Sequence, residues 1–134
     1  MPTIPNEKTK IFGLNRIDKK QKILVVEGPI DSLFLKNAIA TADSNLMVAE
    51  EFSDKNNLIL IPDNEPRNNS IVNQIKKFIN SGFSVCLFPE NFPGKDINEA
   101  VIRGMTKPEI MRIIDQNTFS GLRAEIEFNR WKKV

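Results

Sequence analysis

Acidic residues recur at three points of the sequence where a short apolar segment gives way to turn and helix residues. These junction acids are Glu27 with Asp31, Asp63 with Glu65, and Asp96. Several carboxylates that lie close together repel one another unless a cation separates them. Carboxylate oxygens are hard ligands that select Mg²⁺ or Mn²⁺, and these ions promote phosphoryl transfer by holding the attacking and leaving oxygens. If the junctions meet in the fold, the sequence predicts a magnesium or manganese site.

The apolar segments beside these acids have the pattern of strands buried on both faces. Segments 23–26, 57–62 and 83–88 are continuous apolar runs separated by helical periodicities, and 45–50 is a weaker strand candidate. Strands that alternate with helices predict an α/β fold with a mostly parallel, Rossmann-like sheet and helices on both faces. Because parallel strands end at one edge of the sheet, where ligands bind in open α/β folds, we expect the acidic junctions to converge.

Helix signals follow each predicted strand. The predicted helix starts are Pro29, Ser70, Asp96 with Glu99 in a capping box, and Thr106 with Glu109 in another. The first helix is predicted to have five residues on its inward face: Ile30, Leu33, Phe34, Asn37 and Ala38. The helix after Ser70 is expected to bury a periodic apolar face and to end at Gly82. A final helix is favoured over a strand from Gly121, with Trp131 anchoring the tail.

Length and composition indicate one globular domain. The 134 residues are 40% hydrophobic and 27% charged, and the net charge of +2 permits nucleic-acid binding without indicating it. We expect residues 1–9 to form a flexible leader and 10–134 a single catalytic domain whose part 106–134 is a helical extension. One cysteine in an apolar run and the lack of a membrane-length segment predict a cytoplasmic protein without membrane partners.

Two missing residue types narrow the possible chemistry. The chain contains no histidine and no tyrosine, which excludes a histidine base or ligand and a tyrosyl–DNA intermediate formed by this chain. A single cysteine also excludes a zinc ribbon. Catalysis would therefore depend on carboxylates, lysines, arginines and an oxygen-bound metal ion.

Each candidate residue taken alone also has a purely structural explanation. Glu27 can end a strand at the surface, and Asp31 can face the positive end of a helix dipole. Asp63 can serve a turn, and Asp96 can cap a helix, while Lys95 can be a solvated charge. Only their joint placement at one sheet edge favours a functional site.

The same segments resemble the Toprim domain. Glu27-Gly28 with Asp31 resembles its first motif, and the sequence DNE at 63–65 resembles its Asp-x-Asp motif with glutamate at the second acid. The sequence KDINE at 95–99 resembles its third acidic segment, in which a second aspartate often stands at the place of Asn98. From residue 10 to the end, the chain is most similar to the catalytic C-terminal part of tailed-phage DNA primases.

This resemblance implies an active site on a Rossmann-like sheet. The implied catalytic residues are Glu27, Asp31 and Lys95. The implied ligands of Mg²⁺ (or Mn²⁺) are Glu27, Asp63, Glu65 and Asp96, and the implied substrate or phosphate contacts are Gly28, Arg67 and Asn98. Glutamate at 65 lengthens one ligand arm by a methylene, and asparagine at 98 removes a charge, which bears on occupancy of a second metal site.

The function that the resemblance implies is RNA primer synthesis on a single-stranded DNA template from NTPs. Its expected partners are a helicase or the rest of a primase, in the cytoplasm of a bacterial host. One alternative is a Toprim nuclease or RNA-processing enzyme that delivers water with the same acids. A second is a receiver-like module phosphorylated on Asp63, which Gly28 disfavours because receivers usually carry an acidic pair after the first strand. A third is a catalytically idle Toprim fold that binds a polymerase or helicase.

Overall fold

A five-stranded sheet forms the centre of the computed structural model, which describes residues 11–134; the predicted leader 1–9 and residue 10 lie outside this range. The strands are β1 (Ile23–Val26), β2 (Ala38–Ala40), β3 (Leu58–Leu60), β4 (Ser84–Cys86) and β5 (Thr118–Phe119). They are ordered β2-β1-β3-β4-β5, and only the β4–β5 pair is antiparallel. The predicted α/β class with a mostly parallel sheet is confirmed.

Helices cover both faces of this sheet. They are α1 (Pro29–Leu33), α2 (Asn69–Asn80), α3 (Ile97–Ile102), α4 (Lys107–Gln116) and α5 (Gly121–Trp131), with 3₁₀ turns at Leu14–Arg16, Leu46–Glu51 and Lys55–Asn57. Alternate side chains of β1 enter opposite cores: Ile23 and Val25 pack with α2 and α5, whereas Leu24 and Val26 pack with α3 and α4. Burial on both faces explains why the strands are continuous apolar runs.

The predicted apolar face of α2 is confirmed. Its buried side chains are Ile71, Val72, Ile75, Phe78 and Ile79. The cap is Asn68 rather than Ser70, because the Asn68 side chain accepts hydrogen bonds from the backbone of Ser70 (2.9 Å) and Ile71 (3.3 Å). Gly82, at φ 88°, follows the helix end as predicted.

The prediction for the first helix was wrong beyond Leu33. The chain leaves the helix there, Asn37 adopts the left-handed conformation (φ 54°), and Ala38 begins β2. The Asn37 side chain donates hydrogen bonds to the carbonyls of Asp18 (3.0 Å) and Lys22 (2.8 Å), which fix this turn. The predicted inward face was also wrong inside the helix, where Ile30 and Leu33 are 57% and 62% exposed.

The strand predicted at 45–50 was also wrong, because this segment forms the 3₁₀ turn Leu46–Glu51. Asn45 caps it by accepting a hydrogen bond from the backbone of Met47 at 3.2 Å. Leu46 and Ala49 stand three residues apart and therefore enter the core on one side of the turn.

The C-terminal part combines predicted helices with a strand that was not predicted. The capping box of Thr106 and Glu109 begins α4, and the final helix α5 begins at Gly121, both as predicted. Between them, β5 pairs with β4, Phe119 opposite Val85. The apolar segment near residue 12 contributes only an isolated antiparallel bridge between Phe12 and Ala40. Within residues 11–134, every helix is too short or too polar to span a lipid bilayer.

Candidate metal centre

Glu27 lies at the carboxyl end of β1, between the ends of β2 and β3. Its backbone carbonyl accepts a hydrogen bond from Ala42 (2.8 Å), so the chain after β2 holds it in place. Burial raises the pKa of the Glu27 carboxyl, and the nearby charges of Asp43 and Glu65 raise it further. The half-buried Glu27 carboxyl therefore faces other acids.

Asp31 lies in the first turn of α1, which Gly28 precedes as the N-cap. Its side chain is only 7% exposed, and one carboxylate oxygen accepts a hydrogen bond from the backbone N–H of Asn98 at 2.7 Å. Burial raises the pKa of Asp31 to about 6; the bond from Asn98 opposes this shift, whereas Asp96 and Glu27 add to it. This hydrogen bond connects α1 to the start of α3.

Asp63 follows β3 and is the most strongly perturbed of these carboxyls. Burial raises its pKa to about 7, and the charges of Glu27, Asp96, Asp31 and Glu65 all act in the same direction. A carboxyl in such surroundings stays partly protonated near neutral pH unless a cation compensates the charge.

Asp96 is the N-cap of α3, as predicted, and accepts a hydrogen bond from the backbone of Glu99 at 2.8 Å. The reciprocal half of the predicted capping box is displaced by one residue, because the Glu99 carboxylate accepts from the backbone of Lys95 (3.3 Å). The cap fixes the Asp96 side chain at the sheet edge.

Asp31, Asp63 and Asp96 each offer one carboxylate oxygen, and these oxygens lie within 4.8 Å of one another. We call these three residues the aspartate trio. Ligand oxygens around one Mg²⁺ are about 3–4 Å apart, since octahedral Mg–O distances are about 2.0–2.1 Å. Small side-chain movements would therefore bring the trio to a single ion, and its donor chemistry fits a hard divalent cation.

The acids of the sequence-based site divide into two groups. Asp31, expected only as a supporting catalytic acid, is a member of the aspartate trio together with Asp63 and Asp96. Glu27 and Glu65 lie outside the trio, yet both are near enough to raise the pKa of Asp63. The structure therefore places five carboxylates at one edge, and three of them each offer an oxygen within 4.8 Å of the other two.

The other site residues surround this edge. Lys95 and Arg67 are exposed, and neither makes an ion pair with any residue in the described range 11–134. Gly28 has space for a side chain, since an added Cβ would lie 3.4 Å from the Asp31 carboxylate. The contact that Asn98 makes with Asp31 comes from its backbone N–H.

Asn64, which has no role in the sequence-based site, connects the acidic loops. Its backbone N–H donates to the carbonyl of Lys95 (2.6 Å), and its side-chain amide donates to the carbonyl of Gly94 (3.0 Å). Its side-chain oxygen accepts from the indole N–H of Trp131 at 3.2 Å. A cavity of about 290 Å³ opens beside it, lined in part by Asn64, Trp131 and Phe119. The one signal in the sequence that could have identified Asn64 is its position between Asp63 and Glu65.

Comparison with known proteins finds similarity between this chain and a phage DNA primase. The chain is 32% identical over 130 residues to the DNA primase of Enterobacteria phage T4. The match covers 96% of this chain and 37% of that primase, so the chain spans little more than a third of the relative's length. No protein-family model matches the chain, and the Toprim assignment stays a prediction. The similarity supports a primase-related family.

Proposed function

We propose that this chain is the metal-dependent catalytic part of a DNA primase. It would transfer a nucleotidyl group from an NTP to the 3′-hydroxyl of a primer paired with a single-stranded DNA template, and pyrophosphate would be the leaving group. The observation that carries the proposal is the convergence of Asp31, Asp63 and Asp96 from three separate elements. The similarity to a phage primase favours nucleotidyl transfer over the other reactions that such a carboxylate cluster supports.

The aspartate trio is the proposed Mg²⁺ or Mn²⁺ site, with Glu27 and Glu65 beside it. A divalent ion bound there supplies charge neutralisation for the triphosphate and acidifies the attacking hydroxyl. Asp31 and Asp63 would give up their protons to the solvent on binding it. Glu27 is the proposed acceptor of the hydroxyl proton, since its raised pKa brings it nearer to neutrality than an ordinary glutamate.

Lys95 and Arg67 are the proposed phosphate contacts. Both are exposed beside residues of the acidic edge, Lys95 next to Asp96 and Arg67 in a shallow depression shared with Glu65. Cations free of competing carboxylates can interact with a triphosphate that approaches the acids. Gly28 and Asn98 are proposed to lie along the same approach.

The chain's partners follow from the same proposal. Since the chain matches little more than a third of the T4 primase, a helicase or the rest of a primase is proposed to strengthen its binding to the template. The proposed location is the cytoplasm of a bacterial host.

Primer synthesis by the purified chain tests this function directly. Single-stranded DNA, labelled NTPs and Mn²⁺ or Mg²⁺ are incubated with the wild type, with Glu27→Gln and with Glu125→Gln, an exposed glutamate on α5 that serves as the control. We expect short RNA products from the wild type and the control and a loss of at least about 100-fold in Glu27→Gln, typical of removing a general base. Equal synthesis by all three proteins would contradict the assignment of Glu27. Cleavage of DNA or RNA without NTP incorporation would replace the primase by a nuclease.

A further inference from the structure

Asn64 makes three hydrogen bonds that connect the loop carrying Asp63 to the loop carrying Asp96 and to α5. We infer that Asn64 and Trp131 are positioning residues that hold Asp63 and Asp96 at metal-binding distance. We call these two residues the Asn64 clamp. The inference deepens the proposed function and rests on it, because it concerns the same metal site.

The clamp acts one residue away from two members of the aspartate trio. Asn64 directly follows Asp63, and Lys95 directly precedes Asp96, so the 2.6 Å bond between their backbones sets the separation of the two loops. The bond from the Asn64 amide to Gly94 adds a second connection to the same loop at 3.0 Å. Residues that orient metal ligands in this way commonly affect affinity without contacting the ion.

The residue type at position 64 matches all of its partners. The Trp131 indole N–H can only donate and the Gly94 carbonyl can only accept, so the side chain between them must offer both an acceptor and a donor. Asparagine does this without charge. An aspartate would lack the donor for Gly94 and would add a further negative charge to an edge where like charges already raise the pKa of Asp63.

Gly94, whose carbonyl accepts the hydrogen bond from the Asn64 side chain, permits its loop to pack closely against α3. Its φ of 155° is rare for residues with a side chain, and an added Cβ would lie 3.0 Å from the backbone nitrogen of Ala100 in α3. A side chain at this position would therefore push against the helix that Asp96 caps. The clamp and the cap consequently depend on the same backbone geometry.

Trp131 anchors the clamp to the body of the protein. Its ring lies 6.5 Å from that of Phe128, which is buried between α5 and the core. Two residues further on, the backbone of Lys133 donates to the carbonyl of Pro66 (2.8 Å), so the C-terminal segment holds the Asp63 loop at a second point. This arrangement makes the metal site sensitive to α5, which supplies no acid to the trio.

A purely structural role for Asn64 would stabilise the fold without affecting metal binding, and Asn57 provides the matched control. Asn57 lies at the amino end of β3, and its side chain donates to the carbonyls of Lys19 (3.1 Å) and Gln21 (2.9 Å). It therefore also joins two loops through its amide, at the edge of the sheet away from the aspartate trio.

The test is calorimetric titration of the full chain with Mn²⁺ alone, in wild type, Asn64→Ala, Trp131→Phe and Asn57→Ala. We expect Asn64→Ala to weaken Mn²⁺ binding by about 10–100-fold, the range for outer partners of metal ligands. Trp131→Phe keeps an aromatic ring but removes one donor, so it should weaken binding less, by about 3-fold, the effect of part of one neutral hydrogen bond. Asn57→Ala should lower the unfolding temperature and leave the affinity unchanged. In the wild type, quenching of the sole tryptophan by Mn²⁺ should follow the same titration.

The possible results separate the clamp from the proposed function. Wild-type affinity in both Asn64→Ala and Trp131→Phe would overturn the clamp and leave the proposed function intact. If Asn64→Ala does not fold, weakened binding by Trp131→Phe supports the clamp and unchanged binding overturns it. A wild type that binds Mn²⁺ but makes no primers would contradict the proposed function alone. A wild type that does not bind Mn²⁺ would contradict both.

Discussion

At the amino ends of the parallel strands asparagine side chains close the loops, whereas at the carboxyl ends carboxylates face one another. Asn37 and Asn57 each donate to two backbone carbonyls of the segment before β1, and the Lys22 ammonium donates to the carbonyl of Asn56 at 2.6 Å. The polar side chains at this end satisfy backbone groups that the turns would otherwise leave unpaired.

The carboxyl end has the opposite electrostatic character. Burial and mutual repulsion raise the pKa values of Glu27, Asp31 and Asp63. Within residues 11–134, no lysine or arginine pairs with them or with Asp96. Keeping unpaired carboxylates together lowers stability, so the difference between the ends indicates that the carboxyl end is suited to binding a cation and the amino end to closing the fold.

Substitution of one aspartate at each end of the strands gives the largest expected difference in Mn²⁺ affinity. Asp63→Asn should weaken Mn²⁺ binding by more than about 100-fold, since a direct ligand contributes more than its outer partners. Asp54→Asn is the control, because Asp54 only caps a turn by accepting from the backbone of Asn56 at 3.0 Å, and asparagine can do the same. Calorimetric titration measures both. Equal binding by the two variants would remove the functional difference between the ends.

Metal affinity should depend steeply on pH, because Mn²⁺ competes with protons for Asp31 and Asp63. With pKa values of about 6 and about 7, both groups are mostly ionised at pH 7.5 and mostly protonated at pH 5.5. We expect affinity to fall by about 100-fold between these two pH values, since each bound proton must be displaced. Titration in buffers of different ionisation heat counts the released protons. A flat profile would show that the acids are already ionised without metal.

The sequence predicted β1, β3, β4 and the acidic edge, because these features depend on local patterns, whereas β2 and β5 were not predicted. Continuous apolar runs mark β1, β3 and β4, and acids that follow them must lie at one edge when the strands are parallel. These features require no knowledge of side-chain contacts. The periodic face of α2 was equally accessible, as all of its predicted members are buried.

The sequence did not predict features that depend on contacts between distant residues. The end of α1 depends on Asn37, whose left-handed turn is held by carbonyls 15 and 19 residues away. The position of Asp31 depends on the backbone of Asn98, and the role of Asn64 on Trp131; each pair is separated by 67 residues. Such pairs leave no periodic pattern, so the grouping of the aspartate trio and the hydrogen bonds of Asn64 became visible only in the structure.

Without metal, the free energy of unfolding should fall as pH rises, because the carboxyls at the carboxyl ends of the strands become ionised. The folded-state pKa values of Asp31 and Asp63 lie above the value of 3.8 for an unperturbed aspartate. The free energy of unfolding is therefore highest below about pH 4, where both carboxyls are protonated, and this stability is lost as pH rises through about 7. At pH 8 with EDTA, Asp63→Asn should therefore be more stable than wild type by roughly 1–3 kcal/mol, a range that allows for solvent screening of a partly exposed carboxyl. Urea unfolding at pH 4 and pH 8 measures the difference. If Asp63→Asn is less stable at pH 8, the raised pKa of Asp63 is contradicted.

Substitutions at the amino ends of the strands should have the smallest effects, and these should change the free energy of unfolding without changing Mn²⁺ affinity. Asn37→Gly preserves the left-handed turn but removes the three hydrogen bonds of the side chain, two donated and one accepted from the backbone of Asp18, so it should cost about 2–3 kcal/mol of unfolding free energy. Asn37→Ala removes the same bonds and should cost about 1 kcal/mol more, because a Cβ disfavours positive φ. Mn²⁺ affinity should stay at the wild-type value in both variants, since Asn37 lies at the opposite ends of the strands from the aspartate trio. A loss of affinity in Asn37→Gly would mean that the amino end also supports the metal site through β1 and β2, and the division of roles between the two ends would then fail.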